Sequence, residues 1–216
     1  MPLHQTIKIN DSTTIYLWKI TETFEDLFDA VALTDINYIR LNTMKSEGHQ
    51  KGFLSVRMLL KNCGYSDFDL FYDEFGKPHL KNGKHISISH SFDFSAIAIS
   101  DENIGIDMEL IKEKVLKIAP RFMDISHLEH LTHEEQMRKA TVIWGIKESI
   151  FKLENEVGIS FLDHIFENPF QLAEKKCTAE LHFNNTIQQY TIYFEEIDAN
   201  ESDQVKQNYT LVCAMQ

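Results

Sequence analysis

The chain contains few cysteines, no long apolar run and fewer basic than acidic residues. Its three cysteines, Cys63, Cys177 and Cys213, lie far apart and form no C-x-x-C pair. This spacing is typical of reduced thiols and predicts a cytoplasmic protein. No segment approaches the roughly 20 apolar residues that span a bilayer. The first residues also lack the basic and apolar regions of a secretory signal, so none is expected.

The charge balance disfavours one large class of function. The chain has 21 basic and 33 acidic side chains, a net charge of −12. Because a nucleic-acid backbone is bound by a concentrated basic surface, a general nucleic-acid binder is not expected. Positive charge is still local, since four basic residues follow the first acidic motif closely: Lys112, Lys114, Lys117 and Arg121. These residues are either a solvated helix face or a local site for anions.

Apolar patterning predicts strands and helices in an order that occurs twice. We therefore expect an α+β protein with two similar α/β subdomains, residues 1–103 and 104–216, related by a pseudo-two-fold axis. A capping box at Thr132 and Glu135 predicts the start of a long helix that ends at Gly158. The expected strands are 13–20, 68–72, 85–89, 94–100, 105–110, 178–183, 189–195 and 209–214. The expected helical regions are 23–33, 35–63 with a break near Gly48, and most of 111–157. A loop is expected at 198–208, and a polar corner at His90-Ser91.

Two acidic motifs carry most of the chemistry. In Gly105-Ile106-Asp107-Met108-Glu109, strand alternation places both carboxylates on one face. In the helix from Trp144 to Lys152, Trp144, Glu148 and Lys152 share a stripe at i, i+4 and i+8. Three carboxylates brought together are hard oxygen ligands suited to Mg²⁺, and the adjoining lysines suit phosphate oxygens. The sequence therefore predicts an enzyme whose reaction takes place at a phosphate group.

Each motif also has a plainer interpretation. Asp107 and Glu109 could face solvent on an edge strand, and Glu148 and Lys152 could form a surface ion pair worth only about 0.3–0.5 kcal/mol. Gly76-Lys77-Pro78 and Ser89-His90-Ser91 could be ordinary turns or could present donors to an anion. Three histidines spaced by three residues could bind a transition metal, but the capping box separates their faces: His127, His130 and His133.

Taken together, these four segments resemble the 4′-phosphopantetheinyl transferase superfamily in its longer, Sfp-type form. The family patterns G-x-D-x-E and W-x-x-K-E-x-x-x-K are matched residue for residue by Gly105–Glu109 and Trp144–Lys152. The order and spacing of all four segments, which include Gly76–Pro78 and Ser89–Ser91, also match. One stretch departs from the pattern. Where many relatives carry an Arg-Arg or Lys-Arg pair, this chain has His49-Gln50-Lys51-Gly52, so Lys45, His49 and Lys51 must share any contact with a 3′-phosphate.

The resemblance implies a specific reaction and a set of roles. Such enzymes move the 4′-phosphopantetheine arm of coenzyme A onto a serine of an apo acyl or peptidyl carrier protein and release adenosine 3′,5′-bisphosphate. By this resemblance, Asp107, Glu109 and Glu148 hold Mg²⁺. Glu148 also helps to deprotonate the serine, Lys152 neutralises or protonates the leaving phosphate, and Asp107 completes the catalytic set. The coenzyme A contacts implied are Lys77, Ser89, His90, Lys51 and Lys147.

The resemblance also implies a monomer with its active site in a cleft between the subdomains, and no binding to nucleic acid or membrane. Two other functions stay open from the sequence. One is a non-catalytic carrier- or nucleotide-binding descendant of the same fold. The other is an unrelated Mg²⁺-dependent phosphodiesterase, which would hydrolyse coenzyme A without an acceptor protein.

Overall fold

The computed structural model describes residues 3–199 and 208–216, which form helices and two antiparallel sheets. This confirms the expected α+β class; the pseudo-two-fold relation stays a prediction. The chain divides into two compact units, Met1–Glu102 and Asn103–Gln216. Most of the expected loop at 198–208 lies outside the described residues. Within them, no helix has both the length and the apolar character needed to cross a membrane.

The first unit contains a six-stranded sheet in the order β1-β2-β6-β5-β4-β3. Strands near the two ends of this order were harder to predict: β1 and β4 were not expected, and β3 is shorter than expected. The expected corner at His90 is wrong, because β5 continues through Ser91 and the turn follows at Phe92, whose φ is 49°. The strands are β1 (Leu3–Lys8), β2 (Thr13–Lys19), β3 (Leu70–Tyr72), β4 (Pro78–Leu80), β5 (His85–Ser91) and β6 (Phe94–Ser100).

Three helices accompany this sheet: α1 (Phe24–Ala30), α2 (Asp35–Thr43) and α3 (Glu47–Asn62). Helix α1 begins where Thr23 and Asp26 form a capping box, which satisfies backbone N–H groups that have no partner inside the helix. Helix α3 buries its apolar face in the core of the unit, and full burial of such a side chain contributes about 1.5–3 kcal/mol. The buried apolar residues of α3 are Phe53, Leu54, Val56, Leu59 and Leu60.

A buried ion pair ties α3 to the start of α2. Arg57 and Asp67 are 3% and 2% exposed, and Arg57 Nε lies 2.9 Å from Asp67 Oδ1. The same carboxylate accepts hydrogen bonds from Thr34 N and Asn37 Nδ2, each at 2.8 Å. Burial is the strongest influence on the pKa of Asp67 and raises it. The bonds from Thr34 and Asn37, together with Arg57, outweigh burial, so the pKa lies below the ordinary 3.8. Arg57 therefore has a structural partner in the core.

The second unit contains a five-stranded sheet in the order β7-β11-β10-β9-β8. Its strands are β7 (Ile104–Leu110), β8 (Ile165–Glu167), β9 (Lys176–Phe183), β10 (Thr186–Asp198) and β11 (Asn208–Met215). Strand β8 was not expected, because three residues are too short to show a period. Its helices are α4 (Lys114–Ile118), α5 (His133–Glu154) and α6 (Phe161–His164), and 3₁₀ turns lie at Ala119–Arg121, Ile125–Leu128 and Leu172–Glu174.

The ends of α5 have clear local causes. The predicted capping box is present: the Thr132 hydroxyl accepts from Glu135 N at 3.3 Å, and Glu135 Oε2 accepts from Thr132 N at 2.9 Å. The predicted end at Gly158 is wrong. The helix ends at Glu154, because Asn155 adopts a left-handed conformation with φ of 55°. Asparagine tolerates this conformation better than most residues, and its N–H bonds Phe151 O at 2.7 Å.

Candidate active site

Two glycines allow α5 to lie against the sheet of the second unit. A Cβ atom on Gly105 would lie only 1.9 Å from the carbonyl oxygen of Ser149 in α5. A Cβ atom on Gly145 would lie 2.5 Å from Val212 Cγ2 in β11 and 3.9 Å from Asp107 Oδ2. Both glycines are therefore required by close approach of helix and strand. They set the distance between the acidic strand and the helix that carries the other motif.

Strand alternation gives Gly105 and Asp107 the same side of β7, the side that faces α5. Asp107 is 4% exposed, and its Oδ1 lies 2.7 Å from Lys152 Nζ. Lys152 Nζ also donates to the carbonyl of Ile106 at 3.0 Å. The Lys152 side chain keeps 29% of its surface exposed. The ammonium group is thus held at β7 by two oxygens while part of the Lys152 side chain stays exposed.

Glu148 lies one helical turn before Lys152 and is half-buried. Burial raises the pKa of Glu148 most strongly, the charge of Asp107 raises it further, Lys152 lowers it and Glu109 raises it. The result is a pKa of about 7 in place of 4.5. A carboxyl group near pH 7 can both accept and donate a proton under ordinary conditions. The three predicted acids and Lys152 therefore act on one another electrostatically.

The donor chemistry of these acids fits a divalent cation. Carboxylate oxygens are the ligands that Mg²⁺ prefers, and a cation relieves the repulsion that raises the pKa of Glu148. Across residues 3–199 and 208–216, however, no group of three or more His, Cys, Asp or Glu side chains is gathered so that it could hold a metal ion. In the described residues, the acids therefore affect one another's charge state but do not form a closed metal site.

Lys147 faces away from this group. Its side chain is 3% exposed, its Nζ lies 2.7 Å from Glu167 Oε2, and it also donates to the carbonyl of Ile165. Burial lowers the pKa of Lys147, and the charge of Glu167 acts in the opposite direction. A fully buried, paired ammonium group does not meet a coenzyme, so this geometry gives Lys147 a structural role instead of the expected contact.

Of the three histidines at 127, 130 and 133, His127 has a described contact, and this contact is structural. His127 Nδ1 lies 2.9 Å from Glu167 Oε1, so Glu167 joins His127 to Lys147. His133 is the first residue of α5, and His130 has a φ of 65° in the preceding segment. Their different positions follow from the capping box, as expected.

The predicted coenzyme contacts Lys77, Ser89, His90 and Lys51 belong to the first unit. His90 is exposed in β5, whereas Ser89 is 6% exposed. The ring centroids of His49 and His90 are 6.3 Å apart. A Cβ atom on Gly52 would lie 3.7 Å from the His90 ring. The start of α3, which includes Lys51, therefore lies beside His90. Lys77 lies in the turn between β3 and β4.

A cavity of about 230 Å³ lies beside Glu109 in the second unit. Sequence reasoning missed this cavity, because its wall joins the end of β7 to α4 and α5. Trp144 closes one side, where its ring contacts Phe122 and Phe161 at centroid distances of 5.1 and 5.5 Å. The lining residues are Glu109, Leu110, Lys112, Lys114, Val115, Ile118, Thr141 and Trp144. The cavity thus combines an apolar wall with two lysines.

The carboxylates of β7 and α5 lie beside Lys152 in the second unit of an α+β protein, an arrangement suited to an enzyme that acts on a phosphate. The family model of the 4′-phosphopantetheinyl transferase superfamily matches residues 103–214, which contain both acidic motifs. The chain belongs to this superfamily, as the sequence motifs predicted.

Three relatives are similar to part of the chain. The 4′-phosphopantetheinyl transferase gsp of Aneurinibacillus migulanus is 30% identical over 58% of this chain and 52% of its own length. The 4′-phosphopantetheinyl transferase psf-1 of Bacillus pumilus is 34% identical over 40% of this chain and 39% of its own length. The 4′-phosphopantetheinyl transferase Sfp of Bacillus subtilis (strain 168) is 35% identical over 44% of each. The matched segments therefore span about half of these relatives or less.

Proposed function

We propose that this protein is a Mg²⁺-dependent 4′-phosphopantetheinyl transferase with holo-[carrier protein] synthase activity. It would transfer the phosphopantetheine group of coenzyme A to a serine of an apo carrier protein and release adenosine 3′,5′-bisphosphate. One observation carries the proposal: in a member of this superfamily, burial and the charges of Asp107 and Glu109, acting against Lys152, raise the pKa of Glu148 to about 7.

Glu148 is the proposed general base. In the reaction, the serine oxygen forms a bond to the phosphorus that carries pantetheine, and the bond from that phosphorus to the bridging oxygen breaks. The hydroxyl proton must leave as this bond forms. A base is most effective when its pKa is close to the working pH, and the pKa of Glu148 meets this condition before the proposed cation binds.

Lys152 is the proposed partner of the leaving group. The departing adenosine bisphosphate gains negative charge on its bridging oxygen, which a positioned ammonium group neutralises or protonates. Lys152 is suited to this role because Asp107 and the carbonyl of Ile106 fix its Nζ while part of the side chain stays exposed. Asp107 is thus catalytic through its hold on Lys152 as well as through the proposed metal.

Asp107, Glu109 and Glu148 would hold the Mg²⁺ ion. When bound, this ion supplies positive charge to the pyrophosphate oxygens of coenzyme A. The three carboxylates carry three negative charges when ionised, so without a cation they would repel an anionic substrate. The residues Lys77, Ser89, His90 and Lys51 are the proposed coenzyme A contacts, and the side-by-side placement of His90 and the start of α3 supports a shared anion contact there.

The carrier protein is proposed to dock near the cavity beside Glu109. Carrier proteins of this class are usually acidic, as this chain is, so a docking surface should be apolar with local basic residues. The cavity wall has this composition, with Lys112 and Lys114 beside Leu110 and Val115. We propose that the protein works as a cytoplasmic monomer, on the basis of the superfamily resemblance and the three free cysteines.

Intact-mass measurement of apo carrier proteins after incubation with coenzyme A and Mg²⁺ tests the function. We expect one carrier class to gain the mass of a single phosphopantetheine group. Asp107→Asn should slow the gain by at least ~100-fold, since even outer partners of a metal site are worth 10–100-fold. The exposed Glu129→Gln is the matched control and should leave the rate unchanged. Coenzyme A binding without transfer would support the non-catalytic descendant, and hydrolysis without an acceptor would support a phosphodiesterase.

A further inference from the structure

The turn between β3 and β4, residues 73–77, is organised by one carboxylate that the proposed reaction does not use. Asp73 Oδ1 accepts hydrogen bonds from the backbone N–H groups of Phe75 and Lys77, both at 2.9 Å. Asp73 N donates to the carbonyl of Lys77 at 3.1 Å, and Gly76 N donates to the carbonyl of Asp73 at 3.1 Å. Gly76 has a φ of 84°, which a residue with a side chain adopts only with strain. Asp73 thus bonds to both backbone ends of the turn.

The second carboxylate oxygen is fixed as well. Asp73 Oδ2 lies 2.9 Å from His79 Nε2, and the His79 ring stacks on Phe71 at a centroid distance of 5.3 Å. The bond from His79 is the largest influence on the pKa of Asp73 and lowers it, and the backbone bonds from Lys77 and Phe75 act in the same direction against burial. The carboxylate is therefore ionised at neutral pH and is held on both sides.

This arrangement orders Lys77 through its backbone. The bond from Lys77 to Asp73 Oδ1 uses the backbone N–H of Lys77, so the carboxylate fixes the backbone from which the Lys77 side chain extends. A positive side chain on a preorganised turn binds an anion more tightly than the same side chain on a mobile one, because less conformational freedom is lost on binding.

We propose that Asp73 is a positioning residue for coenzyme A: it holds the 73–77 turn so that Lys77 meets the anionic oxygens of the nucleotide. The inference deepens the proposed function and rests on it. Asp73 does not touch the reacting atoms, so its loss should weaken coenzyme A binding and leave the chemical step intact.

The variants for the test are Asp73→Ala, Lys77→Ala and the double variant, with Asp69→Ala as matched control. Asp69 is another turn carboxylate of the first unit; its Oδ2 accepts from Ser66 N at 2.8 Å and Ser66 Oγ at 2.7 Å. The measurements are the dissociation constant of adenosine 3′,5′-bisphosphate by calorimetry, and KM for coenzyme A and kcat in carrier modification.

We expect Asp73→Ala to raise both the dissociation constant and KM about 3- to 10-fold with kcat within twofold. The double variant should bind no more weakly than Lys77→Ala alone, since Asp73 acts through Lys77. Asp73→Asn should recover part of the loss, because an amide oxygen can still accept both backbone bonds. Asp69→Ala should match the unaltered protein.

Three results would overturn the inference while leaving the proposed function in place. The first is an unchanged KM for coenzyme A in Asp73→Ala. The second is a double variant in which the fold-increases in KM of the two single variants multiply. A loss in Asp69→Ala equal to that in Asp73→Ala would also overturn it, since general weakening of the unit would then explain both. If the unaltered protein neither binds coenzyme A nor modifies a carrier, the proposed function fails and this inference fails with it.

Discussion

The substitution Gly105→Ala tests how the site is assembled. The added Cβ would lie 1.9 Å from Ser149 O, 2.8 Å from Ser149 C and 3.1 Å from Leu153 Cβ. Real Cβ contacts essentially never fall below 3.0 Å, so strand and helix must separate by about 1.1 Å, the difference between 3.0 and 1.9 Å. The obstacle is backbone, which cannot rotate aside as a side chain can.

The displaced segment of α5 carries the site. Ser149 follows Glu148 directly, and Leu153 follows Lys152, so the shift moves both functional side chains away from Asp107. Overpacking of a buried contact costs about 1–3 kcal/mol, and contact with a backbone atom places this variant near 3 kcal/mol. For a chain of this size that is a fall in Tm of about 6–12 °C. A misplacement of about 1 Å at a catalytic group costs about 100-fold in rate.

Thermal unfolding and carrier modification by intact mass measure the two effects. Gly48→Ala is the matched control, because its Cβ would meet only Ser46 Oγ at an ordinary 3.6 Å, and alanine inside a helix is favoured over glycine by up to about 1 kcal/mol. The Gly48 variant should therefore be as stable as the unaltered protein or slightly more so. A Gly105 variant with unaltered Tm and rate would refute the argument that close approach of β7 and α5 builds the site.

Two further predictions concern the same helix. Gly145→Ala should destabilise the protein by about 1–3 kcal/mol, because the added Cβ would contact Val212. Adding Val212→Ala should offset part of this loss, so the double variant should be more stable than the sum of the two single effects predicts. In metal-free protein, Glu148→Gln should remove a pH dependence of the free energy of unfolding. Because folding raises the pKa of Glu148 from 4.5 to about 7, its stabilising contribution is present below pH 4.5 and is lost as the pH rises through about 7. The expected change is ~3 kcal/mol.

Denaturant unfolding between pH 4.5 and 8.5 checks both predictions. The quantity compared is the difference in free energy of unfolding between each variant and the unaltered protein, which cancels the other titrating groups. Glu129→Gln, an exposed carboxyl group, is the control for Glu148→Gln and should leave the pH dependence unchanged. Parallel pH curves for Glu148→Gln and the unaltered protein would contradict the assignment. Strictly additive losses in the Gly145 and Val212 pair would contradict direct contact.

Sequence reasoning was most successful where a short local pattern suffices. The capping box at Thr132, the strand at Gly105–Leu110 and the stripe from Trp144 to Lys152 depend on neighbours within one or two turns, and the structure contains all three. Short or edge elements were missed. Strand β8 and strand β4 have three residues each, too few to show a period. The end of α5 depended on a left-handed asparagine that no apolar pattern reveals.

Lys147 and Glu148 show where local reasoning stops. The two residues are adjacent in the motif, and the resemblance implied a ligand contact for both. On a helix, neighbours point about 100° apart, so one can face the acids of β7 while the other faces the core. Only the packing of α5 decides which of the two residues faces the core. Here it is Lys147, which forms an ion pair with Glu167 on the unpredicted strand β8.

The amino-acid order alone determined the family motifs, the α+β class and the identities of the acids and of Lys152, because each is written in a contiguous run with a fixed period. The tertiary structure decided which of these groups influence one another. The pKa of Glu148 depends first on the burial of its side chain and then on Asp107 and Glu109, which are far away in the chain. The ordered turn at Lys77 depends on both oxygens of Asp73. Electrostatic coupling and burial are properties of distances in space, which a sequence specifies only through its fold.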